Sequence, residues 1–110
     1  MFFRTTRIFA EAQKLLDDGN VLMAQFPTGY AYFADQLKRA GTSILLNFAE
    51  GNGKKSMKER QRFFRIAKGS LYEVAAIYDV ALSFGFIEIS FHEKVIDRCD
   101  YIAAMLSKWR

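Results

Sequence analysis

Apolar and small residues recur at intervals of three and four along most of the chain, with few breaks between the runs. Ile8, Ala12, Leu15, Leu16, Gly19, Leu22, Met23 and Phe26 form the first run. This spacing follows one face of an α-helix and predicts a helix from about Thr6 to Gln25. A glycine inside a helix costs about 1 kcal/mol, so Asp18-Gly19-Asn20 is an alternative turn. The register runs through Gly19 unbroken, which favours one helix. Pro27 ends it, because proline lacks the amide hydrogen a helix interior needs.

In the second run, Phe33, Leu37, Ala40, Gly41, Ile44 and Phe48 share one face of a helix from about Tyr30 to Glu50. A polar stripe of Gln36, Arg39, Ser43, Asn47 and Glu50 flanks that face. Ala40 and Gly41 leave room for a close neighbour, and Gly51 and Gly53 read as the stop. A third helix opens on a capping box, Ser56-Met57-Lys58-Glu59, and Gly85 closes it. Its inward face reads as Phe63, Ile66, Ala67, Ser70, Leu71, Val74, Ile77, Tyr78, Ala81 and Leu82. Ser90-Phe91-His92-Glu93 reads as a second capping box, followed by Val95, Cys99, Ile102, Leu106 and Trp109. Four amphipathic helices with short connections predict an all-α fold, an antiparallel up-down four-helix bundle. Residues 1–110 are expected to form one domain, with Ile44, Phe48, Phe63, Leu71 and Val74 buried.

Composition adds one thing to this picture. Aromatic residues make up 15% of the chain, eleven of them Phe, a heavy apolar load for a small bundle, which suggests burial against another subunit. The chain has no run of about eighteen apolar residues, so no membrane span is expected. Met1 to Arg7 has no apolar stretch behind its charges and does not read as a secretory leader. A single Cys excludes an internal disulfide framework, and the cytoplasm is the expected compartment.

Charge is unevenly placed. Lys54, Lys55, Lys58, Arg60, Arg62, Arg65 and Lys68 stand against Glu59 alone, and the remainder of the chain is mildly acidic. At 100° per residue, Lys58, Arg62, Arg65 and Lys68 gather on the outer face of the third helix. Such a segment is the footprint of an anionic partner, or simply a solvated helix face. Lys54, Lys55, Lys58, Arg62 and Arg65 are the candidate contacts to nucleic-acid phosphates, whether RNA or DNA. Further along the same outer face stand Gly69, Tyr72, Ala76 and Val80. A face that turns from basic to small and apolar suggests a subunit contact beside the basic segment, hence a homo-oligomer.

The chemistry of an enzyme is not legible. A di-iron bundle needs Glu-x-x-His pairs, and the chain has none. A c-type haem needs C-x-x-C-H. The Arg-to-His spacing of small helical RNases is missing, since Arg65 is the nearest Arg before His92. His92 reads as an exposed residue in the first turn of the fourth helix. Gly51-Asn52-Gly53-Lys54-Lys55-Ser56 departs from the phosphate-loop pattern at Lys55 and follows a helix rather than a strand. The free amides at the start of the third helix still favour an anion there. Cys99 lies on an apolar face and reads as an inert thiol. Asn47 and Glu50 stand beside the core face, and Glu50 is placed to pair with Arg60, Arg62 or Lys54. No metal, cofactor or catalytic residue is expected, and a purely structural or protein-binding oligomer is the competing reading.

The ordered motifs Gln36-Leu37-Lys38-Arg39-Ala40, Ser43-Ile44, Asn47-Phe48-Ala49-Glu50-Gly51, Gly53-Lys54-Lys55-Ser56, Phe63 to Lys68 and Gly69-Ser70-Leu71-Tyr72-Glu73 resemble the bacterial four helix bundle protein family. That family includes proteins encoded by intervening sequences of 23S ribosomal RNA genes. It also includes relatives of the accessory variability protein of diversity-generating retroelements. The resemblance spans about Phe26 to Phe86; the first and fourth helices match only in length and pattern. It implies an up-down bundle, commonly assembled as a ring-shaped homopentamer. It further implies, for the retroelement relatives, a basic surface that binds nucleic acid and a reverse transcriptase.

Overall fold

The computed structural model describes residues 1–110. A single 3-10 turn over Phe2–Thr5 leads into α1 (Arg7–Gln25), α2 (Ala31–Asn52), α3 (Met57–Ser83) and α4 (Ile89–Lys108), with no strand. Each boundary has a local cause. Thr6 caps α1 by accepting from the Phe9 amide at 3.1 Å. Phe26, just before Pro27, is already extended, with ψ 128°. Ser56 caps α3 by accepting from the Glu59 amide at 3.1 Å. At the end of α3, Gly85 takes φ +78°, and the Phe86 and Gly85 amides return to the carbonyls of Ala81 and Leu82. This is the Schellman arrangement, which only glycine enters without strain.

Two expected boundaries differ. The fourth helix starts at Ile89 behind Glu88, which offers no side-chain cap, so Ser90 lies inside the helix and caps nothing. The turn at Gly85 brings Phe86 and Ile87 straight against the core, and the next helix starts at once. Gly51 lies within α2 rather than stopping it, and Gly53 follows as the C-cap. Gly51 is needed for proximity: a Cβ there would sit 2.5 Å from Phe64 Cε1.

Cross-helix pairs set the topology. Between α2 and α3, Arg39 meets Glu73 and Ser43 meets Ser70. Between α3 and α4, Lys68 meets Ser107 and Asp79 meets His92. Arg7 reaches Tyr101 and Lys94 reaches Asp18 between α4 and α1. In every pair one number rises as the other falls, so neighbouring helices run antiparallel. The result is an up-down four-helix rod, 45 × 24 × 20 Å. No helix is long and apolar enough to cross a membrane.

Nineteen buried apolar residues line its axis, Ile44, Phe48, Leu71 and Val74 among them. Phe63 is only half-buried, and Phe64 takes the expected core place at 2% exposure. Ile66 is exposed as well. The inward face of α3 is therefore rotated toward Phe64, Leu71 and Tyr78. Adjacent phenylalanines lie 100° apart on a helix, and Phe64 is the one that meets the bare backbone at Gly51.

Candidate nucleic-acid interface

The connection between α2 and α3 is held by Arg60. Its guanidinium donates to the carbonyls of Asn52 at 3.1 Å and Lys54 at 3.2 Å, and to Arg110 at 2.7 Å. Trp109 packs on Phe48, with ring centroids 5.5 Å apart, and donates from Nε1 to Asn52. Gln61 donates to the Trp109 carbonyl, and Phe2 stacks on Trp109. These contacts bring both ends of the chain beside the 53–56 connection. Arg60, which is not among the candidate phosphate contacts, thus spends its hydrogen bonds on backbone carbonyls.

The other cations divide into engaged and free. Lys54 pairs with Glu50 at 3.3 Å, so of the three expected partners Lys54 is the one that Glu50 takes. Lys54 and Arg62 each lie 5.3 Å from the centroid of the half-buried Phe63 ring. This explains why Phe63 stays out of the core: its ring supports charges. Lys55, Lys58 and Arg65 are exposed. Lys68 donates to Ser107 at 2.6 Å. Gln61, Phe64, Arg65, Lys68, Leu106 and Ser107 line a cleft of about 300 Å³ between α3 and α4. Its floor is apolar and its rim carries two cations.

Arg4, Lys108 and Arg110 stand at this same end of the rod and are exposed. Nothing in the local sequence around α3 signalled them, because they lie at least forty positions from its basic run. Only closure of the bundle brings them there. Gly69, Tyr72 and Ala76 are exposed and Val80 is half-buried, all on the outer side of α3. A side chain built at Gly69 meets nothing within 4 Å.

The remaining polar groups hold the bundle. Asn47 donates to the Ser43 carbonyl and hydroxyl, and Ser70 donates to Ser43 at 2.7 Å, so this stripe is a seam between α2 and α3. Arg98 joins Glu11 at 2.7 Å and Asp18 at 3.1 Å. Burial opposes the Arg98 charge, but the Glu11 hydrogen bond and the Asp18 and Glu11 charges outweigh it and hold the guanidinium above its usual range. Burial, with nearby Asp100 and Asp18, pushes the Cys99 thiol up to about 12. It is a thiol at neutral pH and a poor nucleophile. His92 is not the exposed residue expected: its side chain is 15% exposed and its Nε2 lies 2.7 Å from Asp79. No three His, Cys, Asp or Glu side chains come together as a metal site.

Fold and geometry together define a class: small antiparallel four-helix bundles with polar seams between their helices. The chain belongs to the 23S rRNA-intervening sequence protein family, whose model matches residues 4–108. The match extends well beyond Phe26 to Phe86 and takes in α1 and α4. A crystal structure from Bacteroides thetaiotaomicron, described as a protein of unknown function from the S23 ribosomal protein family, is similar in fold. It shares 16% identity, with a TM-score of 0.77 over 90% of this chain and 94% of that chain. No functionally curated protein matches the sequence.

Proposed function

We propose that this chain is a non-enzymatic, cytoplasmic accessory factor that holds a nucleic-acid backbone, working as a homo-oligomer. The observation that carries the reading is the set of exposed cations without carboxylate partners at one end of the rod. Lys55, Lys58, Arg62 and Arg65 contact phosphates, with Lys54 beside them and Lys68 in the adjoining cleft. Ammonium and guanidinium groups on a helix surface meet backbone oxygens rather than base edges. The binding is therefore indifferent to sequence, and any preference comes from a partner protein or from nucleic-acid shape.

Oligomerisation supplies the affinity. One subunit's cations give about 10⁻⁴–10⁻⁶ M at physiological salt, and repetition around an assembly multiplies this through avidity. Gly69, Tyr72, Ala76 and Val80 form the subunit contact, with a pentamer favoured by the family resemblance. Light scattering and a titration of labelled RNA and DNA near ~50 mM salt test the reading together. Wild type is oligomeric and binds; Ala76→Arg is monomeric, helical and weak. A monomeric wild type removes the assembly, and absence of binding at low salt favours a purely structural oligomer.

A further inference from the structure

The end of the rod remote from the cations has the opposite character. Residues 15–37 and 69–93 contain no Lys or Arg, and the antiparallel topology places both stretches at the end formed by the 26–30 and 84–88 connections. Asp17, Asp35, Glu88 and Glu93 are exposed there. The neighbouring Asp18, Glu73 and Asp79 already hold partners.

Aromatic rings cover this end in a continuous cluster of stacked and edge-on pairs. Tyr30 lies 4.9 Å from Phe86, Tyr32 lies 4.7 Å from Phe33, and Phe84 lies 5.6 Å from Phe86, centroid to centroid. Tyr32 is 54% exposed and Phe84 51% exposed. Val21 and Ile89 are also more than half exposed. A cleft of about 460 Å³ opens beside this cluster, lined by Phe86, Ile87 and Phe91 together with Glu88, Ser90 and Gln25.

We infer that this end is a docking surface for a cationic peptide segment of another protein, rich in arginine or lysine and carrying apolar side chains. Charge complementarity selects the occupant. Four unpaired carboxylates outnumber the one ammonium beside the cleft, that of Lys94, which is paired with Asp18 and lies over the Phe91 ring; this excess repels phosphate and attracts basic side chains. Exposed ring faces receive guanidinium groups by cation–π contact, and the mixed cleft, with Phe86, Ile87 and Phe91 beside Glu88, Ser90 and Gln25, takes the side chains between them. Contiguous exposed apolar surface of this kind marks an interaction site.

The probe is a short fluorescein-labelled peptide alternating arginine and leucine, titrated against the full chain by fluorescence polarisation. A peptide with glutamate in place of arginine is the control. The arginine peptide binds and weakens with salt; the glutamate peptide does not bind. The double variant Asp35→Lys, Glu88→Lys and the variant Phe84→Ala each weaken binding by about tenfold or more. Lys58→Glu, at the opposite end, leaves it unchanged, and circular dichroism of each variant reports that it is folded. Equal binding of the glutamate peptide, or insensitivity to Asp35→Lys, Glu88→Lys, overturns the proposal. Self-association of wild type that Glu88→Lys abolishes, without peptide binding, assigns the end to a second copy and overturns it equally.

Discussion

The ring of Phe64 occupies the space that any side chain on residue 51 would need, its Cε1 2.5 Å and Cδ1 2.9 Å from a Cβ built at Gly51. Phe64 is held from behind by Phe48, 5.9 Å away between centroids, so it cannot swing clear. Gly51→Ala gains up to ~1 kcal/mol of helix propensity but overpacks the core by about 1–3 kcal/mol. A net loss is expected in urea unfolding. Combining it with Phe64→Leu recovers part of the loss, since residues in contact couple.

Gly69 is the opposite case. It is a mid-helix glycine with open space around it. In the Ala76→Arg background, where the subunit stands alone, Gly69→Ala raises stability by about 0.5–1 kcal/mol. In the wild-type background the same change is expected to crowd the proposed subunit contact and loosen the proposed assembly. Thermal melts and sedimentation read the two effects separately.

The ion-pair cluster predicts a large loss on truncation. Arg98→Met removes the partner shared by Asp18 and Glu11, whose side chains are only 9% and 14% exposed, and leaves them the more exposed Lys94 and Lys14 at 3.5 and 3.6 Å. The expected cost is about 3 kcal/mol, the lower end for breaking a buried pair because the cluster keeps some contact with water. Replacing Glu11, Asp18 and Arg98 together with leucine restores most of it. Equal instability of the triple variant would show that the charges contribute more than their own burial costs.

Alkaline pH acts through Cys99 and Tyr78. Burial raises both above their ordinary values, Cys99 from 9.0 to about 12 and Tyr78 upward from 10.0. The folded state keeps these protons longer than the unfolded chain. Their effect is absent below about pH 8, and stability falls as pH climbs through 9 toward 12. Melting temperature measured across this range declines for wild type and flattens for Cys99→Ala combined with Tyr78→Phe.

The helices and their number were legible because three- and four-residue spacing survives along four long runs, even through Gly19. The exact inward face of α3 was not. Phe63 and Phe64 fit the period about equally well, and the choice is made across the hairpin by Gly51 and by the cations that cover Phe63. Gly51 read as a stop because local sequence shows a glycine near a helix end and not the ring that crosses it. His92 read as exposed because its partner Asp79 lies on another helix, joined only by the turn at Gly85. Of the candidate interface, the run from Lys54 to Lys68 was visible as charge, whereas Arg4, Lys108 and Arg110 join it only through the closed bundle. Phe63→Ala, at the position expected to be buried, costs much less than the roughly 3–5 kcal/mol of a buried phenylalanine; Phe64→Ala costs that amount.

The central claim is that the outward cations of α3 hold phosphates, and the salt dependence of RNA affinity tests it most directly. Each neutralised phosphate contributes about 0.7–0.9 to the fall of log K with log salt. Reversing Lys58, Arg62 and Arg65 to glutamate should flatten the slope by about 2 with an unchanged melting temperature. A wild type that binds no RNA at low salt, or a variant with the wild-type slope, would contradict the account.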